Sequence, residues 1–195
     1  MGATATTDRF GKANMAMSFG SGKYITLPSN VNFAFGTGPF TVTLWYKLTS
    51  LSTFSILISL GGSNTISGVV SANGAGIKLG YYALGQRISE LGTAELNTWG
   101  FASLVGNGGA NGSRNIKLYD NGVQVGNTYT YNYNFPQQAF VIGANQSSYG
   151  EVMYGPIDEV KIYNRALTAA DVLALYNNGG PTTIRNAVIR GAVIR

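Results

Sequence analysis

Gly155-Pro156-Ile157-Asp158-Glu159-Val160-Lys161-Ile162-Tyr163-Asn164-Arg165-Ala166-Leu167-Thr168-Ala169-Ala170-Asp171-Val172 is the stretch that decides the fold. A Gly-Pro corner opens it. From Asp158 to Tyr163 the residues alternate as in a strand, which places Asp158, Val160 and Ile162 on one face. Asn164-Arg165 turns the chain. Thr168 then suits the first position of a helix, with Asp171 three residues on as the returning half of a shortened capping box. Val172, Leu173 and Tyr176 give that helix an apolar stripe, and Asn177-Asn178-Gly179-Gly180-Pro181 ends it.

Outward from this stretch, the chain reads as a series of short strands. Met15, Met17 and Phe19 alternate on one face, and Tyr24 to Leu27 returns after a turn at Ser21-Gly22. Phe40-Thr41-Val42-Thr43-Leu44-Trp45-Tyr46-Lys47 is the strongest strand, with Phe40, Val42, Leu44 and Tyr46 on one face and Trp45 on the other. Trp45 reads as packed rather than as a ligand contact. Further strands follow at Phe54–Leu60, Ile77–Tyr82, Trp99–Val105 and Phe140–Ile142. Asn115 to Gly126 reads as a hairpin, because Asn121-Gly122 supplies the positive φ angles of a tight turn. Tyr129, Tyr131, Tyr133 and Phe135 share one face of an alternating run.

These segments resemble the laminin-G-like domains of the concanavalin A-like lectin/glucanase superfamily. Asp8-Arg9-Phe10-Gly11 resembles the family's lead-in, although Gly20 stands where an Asp is usual. Phe40 to Trp45, Thr98-Trp99, Leu118 to Gly122 and Phe140 to Gly143 match in order, with Asn121 at a position usually acidic. Ile157-Asp158-Glu159-Val160-Lys161-Ile162-Tyr163-Asn164-Arg165-Ala166-Leu167 matches the closing motif almost residue for residue. The resemblance implies an all-β fold, a two-sheet antiparallel jelly-roll sandwich of the concanavalin A-like type, over residues 1–180 with one short C-terminal helix. Residues 181–195 form a separate extended tail.

Composition narrows the chemistry. The chain has 195 residues, of which 11% are charged, with 27 glycines, 12 tyrosines and neither Cys nor His. Absence of His removes any Ser-His-Asp arrangement and the commonest zinc ligand. The eight acids are Asp8, Glu90, Glu95, Asp120, Glu151, Asp158, Glu159 and Asp171. Glycoside hydrolysis needs two carboxylates facing across a cleft. The paired Glu strand that the resemblance associates with glucanases does not occur, so the chain reads as a non-enzyme. Net charge is +5, but Arg185, Arg190 and Arg195 supply three of the 13 basic residues. The remaining body is near +2 (10 basic against 8 acidic), which argues against a nucleic-acid face. No apolar stretch is long enough to span a bilayer, and the first 20 residues lack an export signal.

The function that the resemblance implies is a non-catalytic recognition module for carbohydrate or cell-surface glycan, placed outside the cell or on a particle surface. Aromatic faces and amides are the chemistry for sugar rings. Tyr81, Tyr82, Tyr131, Tyr133, Asn145, Gln146 and Tyr149 are the candidate ligand residues, against the plainer alternatives of core packing for the Tyr run and a solvated loop for Asn145, Gln146 and Tyr149. Calcium is the candidate cofactor, with Asp8 and Asp158 as its carboxylates. Asp158 could equally be met by loop N–H groups, by Arg9 or by Arg165. The alternative function is a structural or attachment protein of a virion or other particle, docking on protein subunits through the tail. There Ile184, Arg185, Ile189, Arg190, Ile194 and Arg195 recur at five-residue spacing.

Overall fold

The computed structural model describes residues 2–29, 33–50, 54–60, 66–73, 76–83, 86–88, 94–135, 139–145 and 151–178; for Phe54 and for 66–88 it describes the backbone alone. Thirteen strands and one helix follow in order: β1 (Thr4–Thr6), β2 (Ala16–Phe19), β3 (Ile25–Leu27), β4 (Phe40–Lys47), β5 (Phe54–Leu60), β6 (Ile66–Asn73), β7 (Gly76–Ala83), β8 (Gln86–Ile88), β9 (Trp99–Gly106), β10 (Asn115–Asp120), β11 (Val123–Thr130), β12 (Phe140–Ile142), β13 (Gly155–Tyr163) and α1 (Ala169–Asn178). They form a seven-stranded sheet, β1-β2-β13-β4-β9-β10-β11, and a six-stranded sheet, β3-β12-β5-β6-β7-β8. Every strand pairing is antiparallel. The result is the expected two-layer sandwich.

The alternation in β4 works as the sequence predicts. Phe40, Val42, Leu44 and Tyr46 enter the core between the sheets, where they meet Leu57, Ile58 and Leu60 of β5, Phe140 and Ile142 of β12, and Phe33. Phe40 meets Tyr133 and Phe135 edge-on, with ring centroids 5.2 and 5.3 Å apart. Such edge-to-face contacts suit the ring quadrupole. The opposite face of β4 is also closed. Trp45 stacks on Tyr176 of α1 at 5.6 Å and lies 5.2 Å from Phe101. Val172 and Leu175 complete this second apolar layer with Val105, Tyr119, Tyr163 and Leu167. Thr41 stitches the helix lead-in to the sheet: its hydroxyl donates to the Arg165 carbonyl at 2.8 Å and accepts the Leu167 N–H at 3.0 Å.

The closing strand departs from simple alternation. Asp158 pairs with Trp45, but the register shifts before Lys161 pairs with Thr43. Glu159 takes a positive φ of 45° at this β-bulge. One extra residue swaps the faces. Val160 and Ile162 pack against the core, whereas Asp158 shares the register position of Trp45, on the outer face. The expected grouping of Asp158 with Val160 and Ile162 is therefore corrected by the bulge.

Sheet edges are short or broken. Three of the four edge strands, β1, β3 and β8, have three residues each. The fourth, β11, has eight, but its pairing to β10 shifts between Ile116 and Leu118, and Gly126 has a φ of 66°.

The capping box at α1 forms as the sequence predicts. The Thr168 N–H donates to Asp171 Oδ2 at 3.0 Å, and the Asp171 N–H donates to Thr168 Oγ1 at 3.1 Å. The backbone N–H of Thr168, then its hydroxyl and Arg165, hold the Asp171 carboxyl below its ordinary range, against a smaller opposing effect of burial. A lowered folded value means this stabilisation is present above the unfolded pKa and is lost as pH falls through the folded one. Asp171→Ala is expected to cost about 1 kcal/mol at neutral pH. Urea titrations should show the deficit shrinking in acid.

Candidate functional site

The two outer faces of the sandwich differ. That of the seven-stranded sheet is closed by α1 and, beside Trp45, by the N-terminal segment. Arg9 extends over the Trp45 ring, its guanidinium carbon 4.5 Å from the centroid, and the Phe10 ring covers it at 4.1 Å. Arg9 Nη1 lies 3.3 Å from Asp158 Oδ2 and 3.1 Å from Glu159 Oε1, and Lys161 Nζ lies 3.0 Å from Glu159 Oε2. The Arg9 and Asp158 side chains are 5% and 7% exposed, so each charge depends on the other. Burial pushes the Asp158 carboxyl up, partly offset by Arg9.

This arrangement decides the metal reading at these positions. Calcium takes six to eight oxygen ligands. At Asp158 a guanidinium occupies the cation's place. Asp8 Oδ1 accepts the N–H groups of Phe10 and Lys12, both at 2.8 Å, so it closes a turn. No group of three or more His, Cys, Asp or Glu suited to a metal occurs among the described residues. Asp8 and Asp158 thus do not fit calcium, and the corrected role of Asp158 is the buried ion pair.

The outer face of the six-stranded sheet is built differently. Register aligns Thr26, Val141, Ser59, Ser67, Tyr82 and Arg87 in one row across β3, β12, β5, β6, β7 and β8. The neighbouring row runs Ile25, Ile142, Ile58, Gly68, Tyr81 and Ile88. Ile142 and Ile58 lie in the inter-sheet core. Val141 instead packs with Ala144 and Val152, and with Tyr24 and Tyr154 against them. Val141 thus marks the outer-face row and Ile58 and Ile142 the core row; by register Tyr82 and Arg87 belong to the first and Tyr81 to the second. A bridge joins Ala144 to Val152, and both pack with Val141 on this outer face. At its base the Asn145 N–H donates to the Glu151 carbonyl at 3.0 Å, and Asn145 Nδ2 donates to Glu151 Oε2 at 2.9 Å.

The register row of Tyr82 thus runs to Val141, beside the Ala144–Val152 bridge that Asn145 and Glu151 extend. Gln146 and Tyr149 lie outside the described residues, as do Ile184, Arg185, Ile189, Arg190, Ile194 and Arg195. Tyr131 and Tyr133 go elsewhere. Tyr133 is 1% exposed. Its hydroxyl accepts the Gly108 N–H at 2.6 Å and donates to the Gly38 carbonyl at 3.1 Å. Tyr133 is therefore corrected from ligand residue to core residue, because its ring fills the sandwich and its hydroxyl is spent on two loops. Tyr131 packs half-buried against the same core, and burial pushes its hydroxyl up to about 12.

Residues 19–173 match the laminin G family described as the concanavalin A-like lectin/glucanases superfamily. The chain belongs to this superfamily. Among solved structures, this concanavalin A-like domain is similar to a native heptameric SAP-like pentraxin from Limulus polyphemus, with TM-score 0.64, 18% identity, and coverage of 97% of this chain and 88% of that one. It is similar to domain 4 of an extracellular arabinanase from Geobacillus stearothermophilus, solved in complex with arabinotriose, with TM-score 0.66, 22% identity, and coverage of 89% and 81%. It also resembles part of botulinum neurotoxin type C, with TM-score 0.63, 15% identity, and coverage of 92% of this chain and 45% of that one. No curated protein sequence matches it. These likenesses fix the fold as concanavalin A-like. No helix among the described residues is long and apolar enough to cross a membrane.

Two residues of this concanavalin A-like domain carry more than their sequence positions signal. Arg9 is the counterion of Asp158, a pairing that sequence could name only as one option. Arg114, 4% exposed, donates to the Gly109 carbonyl at 3.0 Å and to Asn111 Oδ1; nothing in its sequence context marks it as buried.

Arg9→Met would leave the Asp158 charge buried without a partner, at a cost of about 3 kcal/mol at neutral pH. A raised carboxyl pKa contributes most to stability in acid and loses it as pH rises through the folded value. The Arg9→Met deficit should therefore grow from acid to neutral pH. Adding Asp158→Asn should recover most of it in denaturant titrations at both pH values.

Proposed function

We propose that the chain is a non-catalytic recognition module for glycans, acting outside the cell or on a particle surface, through the outer face of the six-stranded sheet. The observation that supports this reading is the register row that runs from Val141, beside the Ala144–Val152 bridge, to Tyr82 and Arg87. In this reading the rings of Tyr82 and Tyr149 are the residue types that stack on sugar faces, and Arg87, Asn145 and Gln146 are those that hydrogen-bond sugar hydroxyls. Two similar structures lend support, since the arabinanase domain is described with arabinotriose and the neurotoxin through its interaction with two ganglioside molecules.

The opposite face is a poor candidate, because α1 and Arg9 fill it. Catalysis finds little support among the described residues. Asp158 and Glu159, adjacent in sequence, both contact Arg9, which leaves neither carboxyl free to act as an acid or nucleophile across a cleft.

A glycan array with the full chain identifies the ligand class. On the strongest hit, Tyr82→Ala is expected to weaken binding by about tenfold, or 1.4 kcal/mol, without loss of thermal stability. Tyr81→Ala and Tyr133→Ala should lower the melting temperature instead. An array with no hit, or equal binding by Tyr82→Ala, refutes the proposal.

A further inference from the structure

The loop between β9 and β10 holds two of the five Asn-Gly pairs in the chain: Asn73-Gly74, Asn107-Gly108, Asn111-Gly112, Asn121-Gly122 and Asn178-Gly179. Such a pair is where a backbone nitrogen can reach the preceding side-chain carbonyl, since glycine has no Cβ to obstruct the approach. Asn107, Asn111 and Asn121 have both members described, and their surroundings differ.

Asn107 is held at both ends. Its Oδ1 accepts the Asn115 N–H, and its Nδ2 donates to the Ser113 carbonyl at 3.2 Å. The nitrogen that would attack, that of Gly108, is buried and donates to Tyr133 Oη. Asn121 is held too: its Oδ1 accepts the Phe101 N–H at 2.9 Å, and its own N–H donates to the Phe101 carbonyl at 2.8 Å. Gly122 is buried, with Leu173 and Tyr176 against it.

Asn111 and Gly112 are both exposed. A Cβ added at Gly112 would meet nothing within 4 Å. Arg114 Nη2 donates to Asn111 Oδ1, which polarises the carbonyl and favours charge developing on its oxygen. The Gly112 N–H donates to Asn132 Oδ1 at 2.7 Å, but unlike the buried Gly108 it does so at the surface, where water and hydroxide reach the nitrogen.

We propose that Asn111-Gly112 is a self-modification site, at which Asn111 deamidates to supply the buried Arg114 guanidinium with a carboxylate. The Gly112 nitrogen loses its proton and bonds to Asn111 Cγ. The Cγ–Nδ2 bond breaks, and ammonia leaves with that proton. The five-membered succinimide is then opened by water at either carbonyl, giving aspartate or isoaspartate. One water is consumed, one ammonia is released, and nothing is oxidised or reduced. The driving asymmetry is at Arg114, which is 4% exposed, has no ion pair to any carboxylate among the described residues, and has a buried Nε without a hydrogen-bond partner. A carboxylate one hydrogen bond away turns a charge-to-amide contact into an ion pair. This inference goes beyond glycan recognition and does not rest on it.

The test incubates the full chain in mildly alkaline buffer and follows it by peptide mapping with mass spectrometry, separating aspartyl from isoaspartyl products. The Asn111 peptide is expected to convert before those of Asn107 and Asn121, yielding both products. Conversion at Asn107 or Asn121 as fast as at Asn111, or none at Asn111, overturns the site. Asn111→Asp, made directly, is expected to melt higher than the parent at neutral pH. That gain should fade in acid, as the new carboxyl protonates and the ion pair is lost. An unchanged or lower melting temperature overturns the ion-pair role.

Discussion

The β-bulge in the closing strand is the constraint on which the rest of the seven-stranded sheet depends. β13 lies between β2 and β4, so its register sets which residues of three strands meet the core. Were the chain a regular strand through Glu159, with no bulge, Ile157 inward beside Tyr46 would put Val160 and Ile162 outward. With it, hydrophobic residues on both sides of the break point into the sandwich, and one carboxylate is left on the far side. Arg9 then has a fixed place, because a buried carboxylate beside Trp45 needs a cation. The ion pair ties the N-terminal segment to the centre of the sheet, 149 residues away in sequence. The local kink and the long-range tether are one device.

Much of this was legible in the sequence because it rests on periodicity and on local hydrogen bonding. The alternation of β4, the Asn121-Gly122 hairpin and the Thr168–Asp171 cap are each decided within a few residues, where side-chain period and φ preference act directly. The run from Tyr129 to Phe135 was legible as an aromatic face but not as a choice between ligand and core. That choice depends on Gly106, where an added Cβ would lie 2.8 Å from the Tyr133 hydroxyl, and on loops far along the chain. The bulge could not be read from alternation alone, since the pattern across Asp158 to Tyr163 looks regular and only the partner strand shows the slip. Tyr81 and Tyr82 are adjacent, and sequence offers no means of telling them apart. Cross-strand register does so, through Ile58 and Ser59 three strands from the opposite edge.

The two faces of the sandwich are built differently. One is sealed by aromatic stacking of Tyr176 on Trp45 and by a salt-bridged arginine, so its polar residues serve stability. The other carries serines in register with a tyrosine and an arginine, beside a loop anchored at Asn145 and Glu151. Charged groups are few over the whole chain, and of the buried ones Asp158 pairs with Arg9 while Arg114 holds the Gly109 carbonyl and Asn111.

The lengths of the edge strands bear on how such a sparsely charged chain stays in solution. Unpaired strand edges recruit one another into intermolecular sheets, and proteins normally repel that growth with lysines or prolines. Here three edges are too short to template a neighbour, and the long one is bent at Gly126, which interrupts its row of free amides. Resistance to fibre-like association is thus written into backbone geometry rather than charge, and it should persist at ionic strengths that would neutralise an electrostatic defence.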